Sequence, residues 1–146
     1  MVNALREAQR VLTPSGVLVD VRPVTLPIVV EVIIAAQAVW AKTVDLYSAP
    51  EDVAAADAAV QQAVMREWFV VETSLPFNFE IYCDSAAELS VYAEARKLHG
   101  AEIPYEELEE RRRELGLEGQ AARLRCRRPW MLSTYRKKSR FRSVCC

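Results

Sequence analysis

The stretch from Ala4 to Val21 constrains the fold of this chain more than any other. Ala4, Leu5, Ala8, Val11 and Leu12 recur at helical spacing, with Arg6, Glu7, Gln9 and Arg10 mostly on the opposite side. Thr13-Pro14-Ser15-Gly16 then breaks the helix, because Pro14 has no amide proton and Gly16 tolerates a left-handed turn. Val17-Leu18-Val19-Asp20-Val21 follows as a near-continuous β-branched run, which reads as a strand buried on both faces of a parallel sheet. Arg22-Pro23 closes it. Helix, tight turn and buried strand make half of an α/β unit, so the expected class is α/β with helices flanking a sheet.

The remainder of the chain is compatible with that class. Between residues 28 and 47, Val29 to Ile34 and Val39 to Leu46 are rich in β-branched residues, favouring a hairpin that turns around Ala35-Ala36-Gln37. Val32, Ala36, Val39, Trp40, Thr43 and Tyr47 also fit helical spacing, which leaves a helix as the alternative. Ser48 with Glu51 reads as a capping box for a helix over about 50–67, with Val53, Ala56, Val60, Val64 and Trp68 as its apolar stripe. From Phe69 to Ser85 the period becomes two, with Phe77, Phe79, Ile81 and Cys83 on one face. Pro76 within that run predicts a bulge or an edge strand. A second capping box, Ser85 with Glu88, opens a helix expected to run to Gly100. Pro104 opens a surface helix carrying Glu107, Glu109, Arg111 and Arg113. Ala122 to Tyr135 reads as the last strand, with Leu124, Cys126, Trp130 and Leu132 facing inward and a bulge at Pro129.

Composition sets the outer bounds. At 146 residues the chain fits one domain, expected over residues 1–137, with 138–146 as a disordered basic tail. The longest apolar stretch, Leu26 to Trp40, is interrupted by Pro27, Glu31 and Gln37, short of the about 20 residues that span a bilayer. No secretory pattern opens the sequence, so the cytoplasm is the expected compartment and no membrane partner is expected. Four cysteines without paired spacing, and one histidine, argue against a disulfide framework or a zinc site. The terminal Cys145-Cys146 resembles a prenylation signal but lacks its usual context, and reads as an incidental thiol tail. Charge is uneven: residues 1–118 hold all 20 acids and 10 basic residues, whereas 119–146 hold nine basic residues and no acid. A strand with a solvated basic face is the expected reading, and nucleic-acid contact through residues 123–142 the alternative.

Leu5 to Val19 resembles a segment of class I S-adenosylmethionine-dependent methyltransferases, in which a helix, Arg-Val-Leu-Lys-Pro-Gly-Gly and the fifth strand of a seven-stranded sheet follow one another. Arg10, Val11, Leu12, Pro14 and Gly16 match, while Thr13 and Ser15 replace the usual Lys and first Gly. The resemblance implies a partial Rossmann-like sheet comprising the fifth to seventh strands, with the sixth near 69–83, the seventh ending at 134–137 and a possible extra hairpin. It also implies that the intact relative binds S-adenosylmethionine and methylates a small-molecule substrate. In that family the cofactor sits on a Gly-rich turn after the first strand and on an acid ending the second, both before the segment that opens this chain. Gly16, Gly100, Gly116 and Gly119 are the only glycines, and no G-x-G occurs. No cofactor-binding residue is therefore assigned, none is expected to act in the chain alone, and Met1 reads as a position inside a longer frame or as the start of a degenerate relative.

Catalytic signals are equally sparse. None of the serines has nucleophile-elbow context, and His99 reads as a C-terminal helix residue rather than a general base. For Glu72 and Glu80 the alternatives are facing each other on neighbouring β segments and solvated strand faces, and the latter account for them better. Arg22, at the carboxyl end of the first strand, is the one residue placed on the substrate side, since ligands of open α/β sheets bind beyond strand C-termini. In the family's order, 3-2-1-4-5-7-6, the fifth strand lies between the fourth and the seventh. With no fourth strand here, the edge of Val17–Val21 is expected to recruit another strand, giving a homodimer or aggregation, with Asp20 as its only gatekeeper. The readings in play are the substrate-side half of a methyltransferase that is inactive alone, a non-enzymatic interaction module, and nonspecific nucleic-acid contact.

Overall fold

The computed structural model describes residues 1–48, 50–96, 98–100, 103–116 and 121–138. The fold is mixed α/β. In chain order the elements are α1 (Val2–Val11), β1 (Val17–Pro23), β2 (Ile28–Ile34), β3 (Gln37–Val44), β4 (Leu46–Ser48), α2 (Pro50–Met65), β5 (Phe69–Cys83), α3 (Ala86–Ala95), β6 (Leu98–Gly100), α4 (Tyr105–Leu115) and β7 (Arg123–Lys137). Five strands form one sheet in the order β1-β7-β2-β3, with β5 also on β7; β4 and β6 pair separately. The chain divides into two compact units: residues 1–22, 51–76 and 131–146, and residues 23–50 and 77–130. The long strands β5 and β7 contribute to both.

In the first unit, Ala63, Phe69 and Tyr135 form the buried centre, against which Leu5, Ala8, Leu12, Leu18, Val60, Val64 and Trp68 pack. The α1 stripe is narrower than its spacing suggests, since Ala4 and Val11 are exposed. Helix α2 ends without glycine. Glu67 takes φ 58°, the Trp68 amide donates to the Ala63 carbonyl at 3.0 Å and the Glu67 amide to Val64 at 2.9 Å, the bond pair of a Schellman cap. The Thr13–Gly16 turn closes through the Gly16 amide on the Thr13 carbonyl at 2.9 Å. Gly16 is needed there for close approach, because a Cβ would lie 3.0 Å from Leu12 side-chain atoms; its φ is not left-handed, which corrects the expectation. Strand β1 also departs from expectation. Its pairing with β7 is antiparallel, and Val17, Val19 and Val21 are 39%, 57% and 47% exposed. The β-branched run forms a strand, but α1 and α2 cover only the face that carries Leu18.

In the second unit, Ile28, Val30 and Val32 from β2, Leu124 and Cys126 from β7, Leu89 from α3 and Leu108 from α4 share one core. Residues 28–44 form the hairpin, turning on Ala35 and Ala36 with Ile34 opposite Gln37. Both turn residues have positive φ, 49° and 67°, the left-handed pair of a type I′ turn that normally selects Asn-Gly. Helix α3 starts as the sequence predicts: Ser85 Oγ accepts from the Glu88 amide at 3.2 Å, and Glu88 accepts from the Asp84 amide at 2.7 Å. It stops at Ala95 rather than Gly100. Leu98–Gly100 instead form β6 against Leu46–Ser48, which puts His99 on a strand opposite Tyr47 and corrects its helical assignment. Pro129 does not bulge β7 on this side. Val24 donates to the Pro129 carbonyl while Val29 lies opposite Arg127, so the three extra residues between these contacts belong to the opposing chain. The expected edge position of Pro76 is met, since β5 pairs with β7 alone among the described strands. The Ser48 side chain of the first capping box lies outside the described residues, as do the basic tail beyond Lys138 and Cys145-Cys146.

Candidate functional site

Arg22 is tied into its own unit. Its guanidinium lies 3.3 Å from Asp20 and 2.9 Å from Asp57 of α2, with only 17% of the side chain exposed. The structure therefore places the single substrate-side candidate in a three-residue ion network that joins β1 to α2. Glu72 and Glu80 do not face each other: both lie on β5, where Glu72 pairs with Arg136 and Glu80 accepts from Tyr82 Oη at 2.6 Å and lies 3.8 Å from Arg125. Burial pushes the Cys126 thiol up to about 12 and raises that of Cys83, which keeps both thiols protonated and poorly nucleophilic. Among the described residues no group of three or more metal-ligating side chains converges, and one cleft runs along the polar side of α1. No described helix is long and apolar enough to cross a membrane.

The described part of the basic C-terminal stretch, to Lys138, is largely ion-paired within its own units. Arg123 pairs with Asp84, Arg125 and Arg127 with Glu31, Arg136 with Glu72, and Lys138 with Glu67 at 2.6 Å. Arg128 is buried and donates to Tyr92 Oη at 3.0 Å, and Lys137 Nζ donates to the Leu12 carbonyl at 2.6 Å. Paired cations offer less to a phosphate backbone than free ones, because binding would first break an existing ion pair.

Sequence reasoning missed the role of Glu31. At 2% exposure it is the most buried carboxylate among the described residues, clamped by Arg125 Nε at 2.6 Å and Arg127 Nη2 at 2.7 Å. The signal was present as one acid inside Val29–Ile34 and as the alternation Arg123, Arg125, Arg127. The antiparallel register sets Glu31 opposite Arg125. This is a cross-strand charge pair, and its burial requires both guanidinium partners.

Among the described strands β1, like β3 and β5, has a neighbour on one side only. It ends the sheet order beside β7. The Lys137 amide donates to the Gly16 carbonyl at 2.9 Å and the Val24 amide to the Pro129 carbonyl at 3.1 Å. Equal lengths of chain separate these contacts on the two strands, so the ladder between them is regular. In a regular antiparallel ladder, alternate residues point their amide and carbonyl to the same neighbour. Leu18, Asp20 and Arg22 therefore address β7, and Val17, Val19 and Val21 turn their backbone groups to the open edge. Those three valines also carry the exposed side chains of the strand. Val71 and Leu75 of β5 are exposed in the same unit. No family model, curated protein or solved structure matches this chain.

Proposed function

We propose that this chain is the substrate-side part of a methyltransferase-type α/β domain, competent only when further strands continue its sheet beyond β1. The observation that carries the reading is the open edge of β1 in a sheet where β7 lies between β1 and β5. That order corresponds to 5-7-6 in the family resembled by Arg10-Val11-Leu12-Thr13-Pro14-Ser15-Gly16, and the edge left open is the one a fourth strand takes there. The helix–turn–strand unit α1–β1 adds support. In this reading S-adenosylmethionine is held by residues outside the chain, and the role of the chain is to complete the sheet and shape the acceptor side. The acceptor is a small molecule. Two local observations fit less well: Arg22 is engaged by Asp20 and Asp57, so it serves as a structural tie unless a substrate displaces them, and the bare valine face needs a cover.

The test is calorimetric titration with S-adenosylmethionine. The 146-residue chain alone is expected to bind none, since no Gly-rich turn lets a backbone approach the cofactor. The reading frame upstream is expected to encode a Gly-rich strand–turn–helix, and the chain extended by it is expected to bind one equivalent. Absence of that segment, failure of the extended chain to bind, or a stoichiometric site in the short chain would each overturn the reading. The same open edge favours a second reading, a non-enzymatic module that completes its sheet with a partner; it predicts sheet completion without cofactor binding in either form.

A further inference from the structure

From the edge of β1 we infer that, when no fourth strand is supplied, a second copy of this chain takes its place, with two β1 strands pairing antiparallel about a two-fold axis at Val19. The inference rests on the incomplete sheet of the proposed function and names the partner of its open edge. Three strands end or flank the main sheet: β1, β3 and β5. β5 carries Pro76 in its length, a device that discourages edge-to-edge pairing, and β3 carries Lys42, whose charge is met by Glu107 at 2.6 Å. β1 has neither. Its one acid, Asp20, lies 3.3 Å from Arg22, so the gatekeeper charge is already compensated.

The backbone directions select the register. Only Val17, Val19 and Val21 point amide and carbonyl outward, so a partner strand must match these with its own outward residues. Centred on Val19, Val17 faces Val21 of the second copy, Val19 faces its own counterpart, and every outward amide and carbonyl on both strands finds a partner. Leu18 then lies opposite Asp20 of the second copy, and no like charges meet. Sliding toward the C-terminus by one step brings Asp20 opposite Asp20 and Val17 opposite Pro23, which has no amide to donate. Sliding the other way sets Val21 against Ser15, outside the strand. The valine side chains of both copies lie on one face in the centred register, so apolar neighbours meet across the new boundary. An isologous contact of this kind consumes both edges and stops at two chains.

Light scattering across a dilution series of the full chain tests this. The mass is expected to rise from one chain toward two and no further. Val19→Lys, at an exposed position, and Val19→Pro, whose missing amide points to the open edge, are both expected to hold the mass at one chain with an unchanged circular dichroism spectrum. Val71→Lys, an exposed valine on β5, is expected to leave the dimer intact. A single-chain mass at all concentrations with rapid exchange of the Val19 amide would overturn the second-copy inference and leave the incomplete sheet standing. A single-chain mass with that amide protected would overturn both, because the edge would then be covered from within. Growth beyond two chains, or equal loss of the dimer in Val71→Lys, would overturn the pairing through β1.

Discussion

β5 and β7 run through both units, and both units expose apolar side chains of β5, but the ion pairs along the two strands are denser in the second. In the second unit, Arg123, Arg125 and Arg127 on β7 meet Asp84, Glu80 and Glu31, a cross-strand set of ion pairs that includes a fully buried carboxylate. In the first unit, Arg136 meets Glu72, but Val17, Val19, Val21, Val71 and Leu75 stand exposed, and among the described strands β1 pairs with β7 alone. A charged surface set in place by its own acids is finished for contact with water. An apolar strand with an open edge is finished only by another strand or a covering element. The comparison shows one unit that holds its β7 arginines on its own acids while exposing Phe77 and Phe79 of β5, and another that exposes the valines of its sheet beside an edge strand.

Breaking the charged network should have the largest effect. Glu31→Ala leaves two guanidinium groups facing each other without their carboxylate, and is expected to cost about 3–5 kcal/mol, as for other buried pairs broken on one side. Urea denaturation measures it. A loss below 1 kcal/mol would mean that water already screens the cluster and that the contrast between the units is overstated. Replacing the hairpin turn should act in the opposite direction. Ala35→Asn with Ala36→Gly removes two left-handed alanines, each disfavoured by about 1–2 kcal/mol in this region, so a net gain of at least 1 kcal/mol is expected on thermal unfolding.

A smaller effect concerns acid. Glu109 is held well below the usual carboxylate range, at about 2, chiefly by the hydrogen bond from Arg112, with the Ala86 amide assisting. Its folded value is depressed, so its contribution to stability is complete above the unfolded value near 4.5 and fades as pH falls toward 2. The pair is partly solvated, which reduces the size of the effect. Glu109→Gln is expected to weaken the loss of stability between pH 5 and pH 2, and identical acid profiles for the two proteins would contradict the assignment. The smallest change in folding is expected at the valine edge itself. Val19→Lys should alter the unfolding free energy of the single chain by no more than about 0.5 kcal/mol, as an exposed substitution away from any special feature, while acting on association.

Local chemistry made much of this fold legible. β-branched density in residues 28–44 outweighed an equally spaced helical pattern, and the turn formed without the glycine that usually announces it. The capping pair Ser85 and Glu88 fixed the start of α3 because cap chemistry acts within four residues. The end of that helix was not legible. Leu98 satisfies the helical stripe as well as a strand, and the ladder from Leu46–Ser48 that captures it is far away in sequence. Burial of β1 was misread for a related reason: Val-Leu-Val-Asp-Val records the propensity for a strand, but how many of its faces are covered depends on elements elsewhere. Arg22 could be placed at a strand end from sequence, while its capture by Asp57 required knowing where α2 docks.

The edge of β1 turned away from β7 belongs to Val17, Val19 and Val21, and its pairing can be read residue by residue. Amide hydrogen exchange of the Val19→Lys chain at low concentration should alternate along the strand. The amides of Leu18, Asp20 and Arg22, directed at β7, should be slow, and those of Val17, the substituted position 19 and Val21 should exchange at least tenfold faster. Uniform slow exchange from Val17 to Arg22 in that single-chain state would show the edge already paired, and would contradict the account.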